Sequence, residues 1–292
     1  MEDALRMGTR GVPPTFTACC FSALSNVLAE INEGWKERWD GDVPGFCFRG
    51  VDDATYDLNP GLLRWPYPEA AEALCQLENS LWAEFRLRSK PLLGRPVSGT
   101  WEAMLIMQQY GFPTRFLDWS RSLAVAAYFS ARDLDKKQDG AVWIMAARHL
   151  MEARGLKGVW RTMVGDPKLE PLGPRENVDG LASFNSQIPV AVSPDQFVER
   201  MIVQRGIYTL HSFERDALER LAVADRAEHK GACFLHKIVI PGAAKSGLRS
   251  DLSVVAGVTE ESLFPDLEGF ARSFVAEQKE MAQRQRGRPT SR

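Results

Sequence analysis

Between Trp101 and Ala131 the chain reads WEAMLIMQQYGFPTRFLDWSRSLAVAAYFSA, a stretch that only a fold able to enclose polar groups within apolar packing can accept. Gln108, Gln109, Tyr110, Thr114, Arg115, Asp118, Trp119 and Ser120 are crowded between the apolar runs Met104 to Met107 and Leu123 to Phe129. Buried polar groups are costly unless paired, so their concentration inside an apolar frame points to a lined pocket.

The rest of the chain alternates helical and strand patterns. Apolar residues at Phe21, Leu24, Val27, Leu28, Ile31 and Trp35 recur at spacings of three and four, which predicts a helix over Phe16 to Trp39 packed along one stripe. Phe46 to Gly50 reads as a short aromatic strand that places Arg49 at its end. Helices are expected from Glu69 to about Ser89 and from Thr100 to Tyr110, the second ended by Gly111-Phe112-Pro113. Phe116 to Trp119 reads as a brief extended piece, and Ser122 to Asp133 as helix. Ala141 to Met145 is uninterruptedly apolar, which suits a strand buried on both faces.

Beyond it, 154–187 lack periodicity and read as an irregular insertion. Strands are expected at Ile188 to Val192, Gln204 to His211 and Cys233 to Ile240, with helices near Ser212 to Arg226, Ala243 to Ala256 and Pro265 to Glu280. The organisation is an N-terminal arm and helix over 1–45, a main domain over 46–272, and a closing helix with an arginine-rich tail over 273–292.

Composition narrows the partners. With 292 residues, 45% hydrophobic and 25% charged, the chain resembles an ordinary globular protein. A net charge of −2 gives no global attraction for a polyanion, so any nucleic-acid contact is local, and the terminal QRQRGRPTSR reads first as a solvated tail. No apolar run approaches the roughly 20 residues of a membrane span, and the start lacks a secretory leader, so a cytoplasmic protein with no membrane partner is expected. Five cysteines without a CxxC pair and four histidines without HExxH or HxH spacing predict neither disulfides nor a metal. Cys19-Cys20 reads as packing, and His211 and His236, alternating with apolar neighbours, as satisfied core histidines.

Taken in order, Phe48-Arg49-Gly50, Tyr56-x-Leu58-x-Pro60, Leu63-Arg64, Glu78, Trp101, Met107-Gln108, Gly111 to Arg115, Leu117-Asp118-Trp119, Ala124 to Phe129, Asp139 to Trp143, Gln204-x-Gly206-x-Tyr208-Thr209, Lys237-Ile238-x-Ile240-Pro241 and Leu263 to Leu267 resemble the FRG domain family, named for its opening Phe-Arg-Gly. The chain departs from the family at Gln109, where a histidine is usual; an amide cannot shuttle protons. More distantly, the motif order is similar to the ADP-ribosyltransferase fold, which implies an α+β architecture: a small split, mixed or antiparallel sheet flanked by helices. Arg49 would be the arginine ending the first strand, Leu117 to Ser120 the strand entering an A-x-x-F helix at Ala126 to Phe129, and Gln204 the start of the third motif.

The resemblance implies NAD as substrate, with no metal. A guanidinium can grip pyrophosphate with two charge-assisted hydrogen bonds, an aromatic wall can hold nicotinamide, and a carboxylate can stabilise an oxocarbenium-like ribose. The expected NAD-binding residues are Arg49, Tyr56, Arg64, Gln108, Tyr110, Arg115, Trp119 and Ser120. Those expected to act chemically are Asp118, Gln204 and Glu78; Gln204 is neutral and followed by no glutamate, so a carboxylate must come from Asp118 or Glu78. An ion pair of Asp118 with Arg115 or Arg64 accounts for the same residues without catalysis. Three functions compete: an NAD-dependent ADP-ribosyltransferase or NAD glycohydrolase, acting on a macromolecular acceptor as a bacterial toxin or phage-defence effector; a non-enzymatic domain recognising a nucleotide or partner protein; and, more weakly, a defence nuclease.

Overall fold

A computed structural model of the protein describes residues 13–38, 45–64, 70–97, 99–134, 137–154, 156, 161–162, 189–193, 199–215, 217–228 and 233–286. Its frame is an eight-stranded mixed sheet: β1 (Thr15–Thr17), β2 (Phe46–Val51), β3 (Phe116–Ser120), β4 (Gly140–Ala146), β5 (Arg161–Thr162), β6 (Val190–Ser193), β7 (Gly206–Leu210) and β8 (Leu235–Ile240), in the order β1-β8-β4-β2-β3-β7-β6-β5. The edge strands β1 and β5 run parallel to their neighbours, and every other pair is antiparallel. The architecture is α+β as expected, but the sheet is not small.

The central strand β4 is buried at every position, as its unbroken apolar run implies. It pairs with β2 from Phe46↔Ala146 to Val51↔Ala141 and with β8 from Gly140↔Ile240 to Met145↔Leu235. The join between β2 and β3 is different: one register pair, Phe48↔Ser120, holds two strands whose outer partnerships are long. The sheet therefore parts beside Arg49 and Asp118.

Helices cover the sheet: α1 (Phe21–Arg38), α2 (Gly61–Arg64), α3 (Ala71–Leu93), α4 (Gly99–Gln109), α5 (Leu123–Ser130), α6 (Ala147–Ala153), α7 (Glu199–Val203), α8 (Ala217–Glu228), α9 (Lys245–Ala256), α10 (Glu260–Leu263) and α11 (Leu267–Arg286). The stripe predicted for α1 is the buried one, with Leu24, Val27, Ile31 and Trp35 all in the core. Its predicted start at Phe16 is corrected. Thr15 to Thr17 are strand, because Thr15↔Lys237 to Thr17↔Val239 pairing captures them before the helix begins. Helix α3 runs past Ser89 and stops at Gly94, whose φ of 66° supplies the left-handed cap.

Helix α5 lies so close over β2 that a Cβ on Gly50 would meet the Ala126 carbonyl oxygen at 1.8 Å, and one on Gly140 would meet that of Ser130 at 2.0 Å. Those two glycines let the helix seat against the paired strands β2 and β4. Most of the predicted insertion at 154–187 lies outside the described residues; Arg161–Thr162 pair in parallel with β6. The predicted N-terminal arm and helix over 1–45 is described from residue 13, and of the tail only the part preceding 287 is described.

Candidate functional site

Where β2 and β3 part, a cavity of about 400 Å³ opens, within the size range of small-ligand sites. β2 contributes Phe48, Arg49 and Gly50; β3 contributes Asp118, Trp119 and Ser120; the end of α4 contributes Gln108 and Gln109. Helix α5 and the residues after it supply Phe129 and Arg132, α7 supplies Arg200, the turn after it Gln204 and β7 Tyr208, and Phe264 closes one side. Thus Arg49, Gln108, Asp118, Trp119, Ser120 and Gln204, picked from three distant segments, meet around one space.

Arg49 bridges the split. One terminal nitrogen, Nη1, donates to the Asp118 carbonyl at 2.8 Å, replacing the ladder bonds that the diverging strands do not make. Its Nε is buried without a hydrogen-bond partner. Burial lowers the guanidinium to about 10, against the charge of Asp118 and helped by the nearby Arg64; it stays cationic at neutral pH.

Asp118 is the one exposed residue of β3, on the face opposite Leu117 and Trp119 and between the buried Phe116 and Ser120 of its own face, where the strand borders the cavity. Although the carboxylate reaches the cavity, surrounding protein raises its pKa by desolvation; the Arg49 charge and a hydrogen bond from Gln108 Nε2 at 2.9 Å act the other way. It makes no ion pair with Arg115. That arginine instead pairs through Nε with both carboxylate oxygens of Glu78, at 2.8 and 3.0 Å, donates Nη1 to the His211 carbonyl, and sits over the Phe213 ring. Arg115 and Glu78 are both buried and neither lines the cavity.

The remaining candidates divide. Ser120 Oγ donates to the Gln204 carbonyl at 2.7 Å and accepts from Ser122 N at 3.0 Å, tying β3 to the α7–β7 turn and to the start of α5. Gln204 Nε2 donates to the Leu263 carbonyl at 3.0 Å. Trp119 borders the cavity, but its indole nitrogen donates to Thr209 Oγ1 across the sheet. Phe129 and Phe264 are further aromatic lining groups. Tyr110, 65% exposed, lines an adjoining cavity of about 660 Å³ that shares Gln109 and Arg200 with the first. Tyr56 stands on the exposed loop after β2, and Arg64 ends α2; neither lines either cavity.

Gln109 donates Nε2 to the Tyr208 hydroxyl at 2.8 Å. Burial, then the facing charge of Asp118, pushes that phenol up, so it is neutral throughout the physiological range. Sequence reasoning missed Arg132, Arg200, Tyr208, Phe129 and Phe264 as lining residues. Tyr208 could have been found, because antiparallel pairing sets it opposite Asp118. The arginines carry no local signal, since each stands among ordinary surface charges and reaches the cavity only through packing of α7 and the α10–α11 corner around Phe264, with Arg132 at 5.0 Å and Arg200 at 5.3 Å from that ring.

Among the described residues no group of three or more histidine, cysteine, aspartate or glutamate side chains is arranged to hold a metal, and no helix is long and apolar enough to cross a membrane. A family model, the FRG domain, matches residues 44–139, a span that includes Arg49, Gln108, Asp118, Ser120 and Arg132 and stops short of Arg200, Gln204 and Tyr208. No curated protein and no solved structure matches the chain.

Proposed function

We propose that this cavity binds NAD and that the protein transfers ADP-ribose from it to a macromolecular acceptor. The observation that carries the reading is the charge pattern of the lining: among the described residues Asp118 is its one carboxylate, and the other charged lining groups, Arg49, Arg132 and Arg200, are all cations, Arg132 paired with Glu260 and Arg200 with Asp266 and Glu268 behind the cavity wall. A diphosphate presents two negative charges to such a wall, and planar guanidinium groups bind phosphate oxygens in pairs. The split beside an arginine-bearing strand, followed by a strand leading into the Ala126 to Phe129 helix, is an arrangement that the proposed likeness to ADP-ribosyltransferases would require, and supports the reading by analogy.

In this reading Arg49 holds the diphosphate, with Arg132 and Arg200 at the rim. The bond between ribose C1′ and the nicotinamide nitrogen breaks, its electron pair leaving with nicotinamide, while ionised Asp118 stabilises the positive charge that develops on the ribose. The acceptor's nucleophile then bonds C1′, and Asp118 takes its proton. A toxin or phage-defence effector would suit that chemistry.

A second reading, a recognition domain that binds a nucleotide without cleaving it, is favoured by one observation: the amide of Gln204 is committed to the Leu263 carbonyl, so it acts as a structural tie. Calorimetric titration with NAD, together with nicotinamide release in cell extract, decides between them. Arg49→Ala is expected to weaken binding about 10- to 100-fold, and Asp118→Asn to bind normally while losing turnover by about 100-fold or more. Binding without release supports the recognition domain; absence of NAD binding overturns the transferase.

A further inference from the structure

Hydrogen bonds reach Asp118 from the end of α4 in one direction only. Phe116 N–H donates to Thr114 Oγ1 at 3.2 Å, and a backbone amide can only donate, so the hydroxyl's single proton must be used elsewhere. It is given to Gln108 Oε1. Thr114 is 1% exposed, which leaves that proton no acceptor in bulk solvent. With Oε1 engaged, the amide turns Nε2 towards Asp118 and donates to Oδ2 at 2.9 Å.

We propose that Thr114 is a positioning residue that keeps Asp118 ionised, by deciding through Gln108 which end of the amide faces the carboxylate. Rotating the Gln108 amide would turn an oxygen towards Asp118, which only a protonated carboxyl could accommodate. It would also aim Nε2 at a hydroxyl already accepting from Phe116 and strand the Thr114 proton, an unsatisfied buried donor. Loss of the Asp118 charge and rotation of the amide are thus opposed by the same buried hydroxyl. Desolvation works against this device by raising the carboxyl, while the Arg49 charge and the Gln108 bond draw it down.

The charged and titratable groups facing Asp118 are Arg49 from β2, Arg64 from α2 and the Tyr208 phenol from β7. Arg49 stays cationic and Tyr208 neutral where a carboxyl titrates, so the carboxyl's midpoint reports the relay. The inference holds whatever the cavity binds, and its test needs no nucleotide.

Carboxyl ¹³C shifts of the labelled protein are followed against pH, with the Asp118 signal identified by its loss in Asp118→Asn. Thr114→Val is expected to move the Asp118 midpoint upward, and Thr114→Ser, which restores the hydroxyl, to return it to the wild-type position. Gln108→Met, at the cavity surface, removes the donor and is expected to move the midpoint upward as well; it decides the matter if Thr114→Val does not give a cooperative melt. Equal displacement by the valine and serine variants overturns the proposal, as does an unchanged midpoint in Gln108→Met.

Discussion

At the scale of single residues, two arginine–aspartate or arginine–glutamate relationships in this chain look alike in sequence and differ in what surrounds them. Asp118 lies three positions from Arg115, and sequence spacing makes that pair plausible; folding instead gives Arg115 to Glu78, 37 positions away, in a fully enclosed two-oxygen contact. Removing one partner of such a pair leaves an uncompensated buried charge, so Glu78→Gln is expected to lower stability by about 3–5 kcal/mol in a denaturant titration. Asp118→Asn, at the cavity surface, should change it far less. Local spacing could nominate both carboxylates for chemistry, but only long-range packing separates the one that lines a cavity from the one that holds the core. The histidines teach a related lesson. His211 and His236 are buried as their alternation implied, yet each keeps an Nδ1 without a partner. Burial lowers His211 and His236 to about 3, with Arg49 and Arg115 adding to the first and Arg226 to the second. Because the folded value lies below the unfolded value of about 6.5, the unfolded chain binds more protons in that interval. Stability is then whole above pH 6.5 and lost as pH falls towards 3. His236→Phe, which keeps the ring beside Trp35 and Phe16, should reduce the acid slope of stability over that window by up to about 1.4 kcal/mol per pH unit.

At the scale of elements, the close approach of α5 to β2 explains why the aromatic strand carries a glycine at position 50, although the strand itself runs on to Val51 and Arg49 is therefore not at its end. Phe46 and Phe48 stack on one side of β2 with ring centres 5.8 Å apart, and Gly50, next on that side, leaves room for the Ala126 carbonyl. Gly50→Ala must push backbone from backbone, and is expected to destabilise by about 3 kcal/mol, the upper end for an overpacked site, and to distort the split that seats Arg49. Gly34→Ala is the matched control: nothing lies within 4 Å of the added methyl on α1, so a gain of about 0.5–1 kcal/mol is expected. Thermal melts of both variants, read with NAD titration of the first, test the pair. Helices α1 and α3 were legible because three-and-four spacing is a local property that packing preserved, and α4 because Gly111-Phe112-Pro113 stops it. Strand β1 was not, since three residues carry too little alternation and what makes them a strand is β8, more than 200 residues later. β5 was not legible either, being two residues long, whereas its parallel partner β6 was anticipated by the strand expected at Ile188 to Val192. The space between β2 and β3 was foreshadowed by the crowding of polar groups after Met107, whereas its arginine rim depends on where α7 and Phe264 come to rest.

At the scale of the whole molecule, the FRG-matched segment holds one wall of the cavity and too little of the sheet to stand alone. Residues 44–139 contain just β2 and β3 among the described strands, joined by the single pair Phe48↔Ser120. The main partner of β2 is β4, which starts at Gly140, and the main partner of β3 is β7, which starts at Gly206. Cut from these, both strands would expose their hydrogen-bonding edges, and Cys47, Leu117 and Trp119 would lose the layers that bury them. The rim is lost as well, because Arg200, Gln204 and Phe264 all follow the segment. Expressed alone, residues 44–139 should therefore give a collapsed amide proton spectrum and no cooperative melt, while residues 13–286 should give dispersed signals and a single transition. A well-folded 44–139 fragment would mean that the pairing of β2 and β3 with β4 and β7 is not what stabilises the split, and the site would then have to be understood from that segment's own packing. Failure of the fragment together with folding of the longer chain would establish that the cavity belongs to the sheet as a whole, so that variants in β7 or α7, remote in sequence from Arg49, act on the same site.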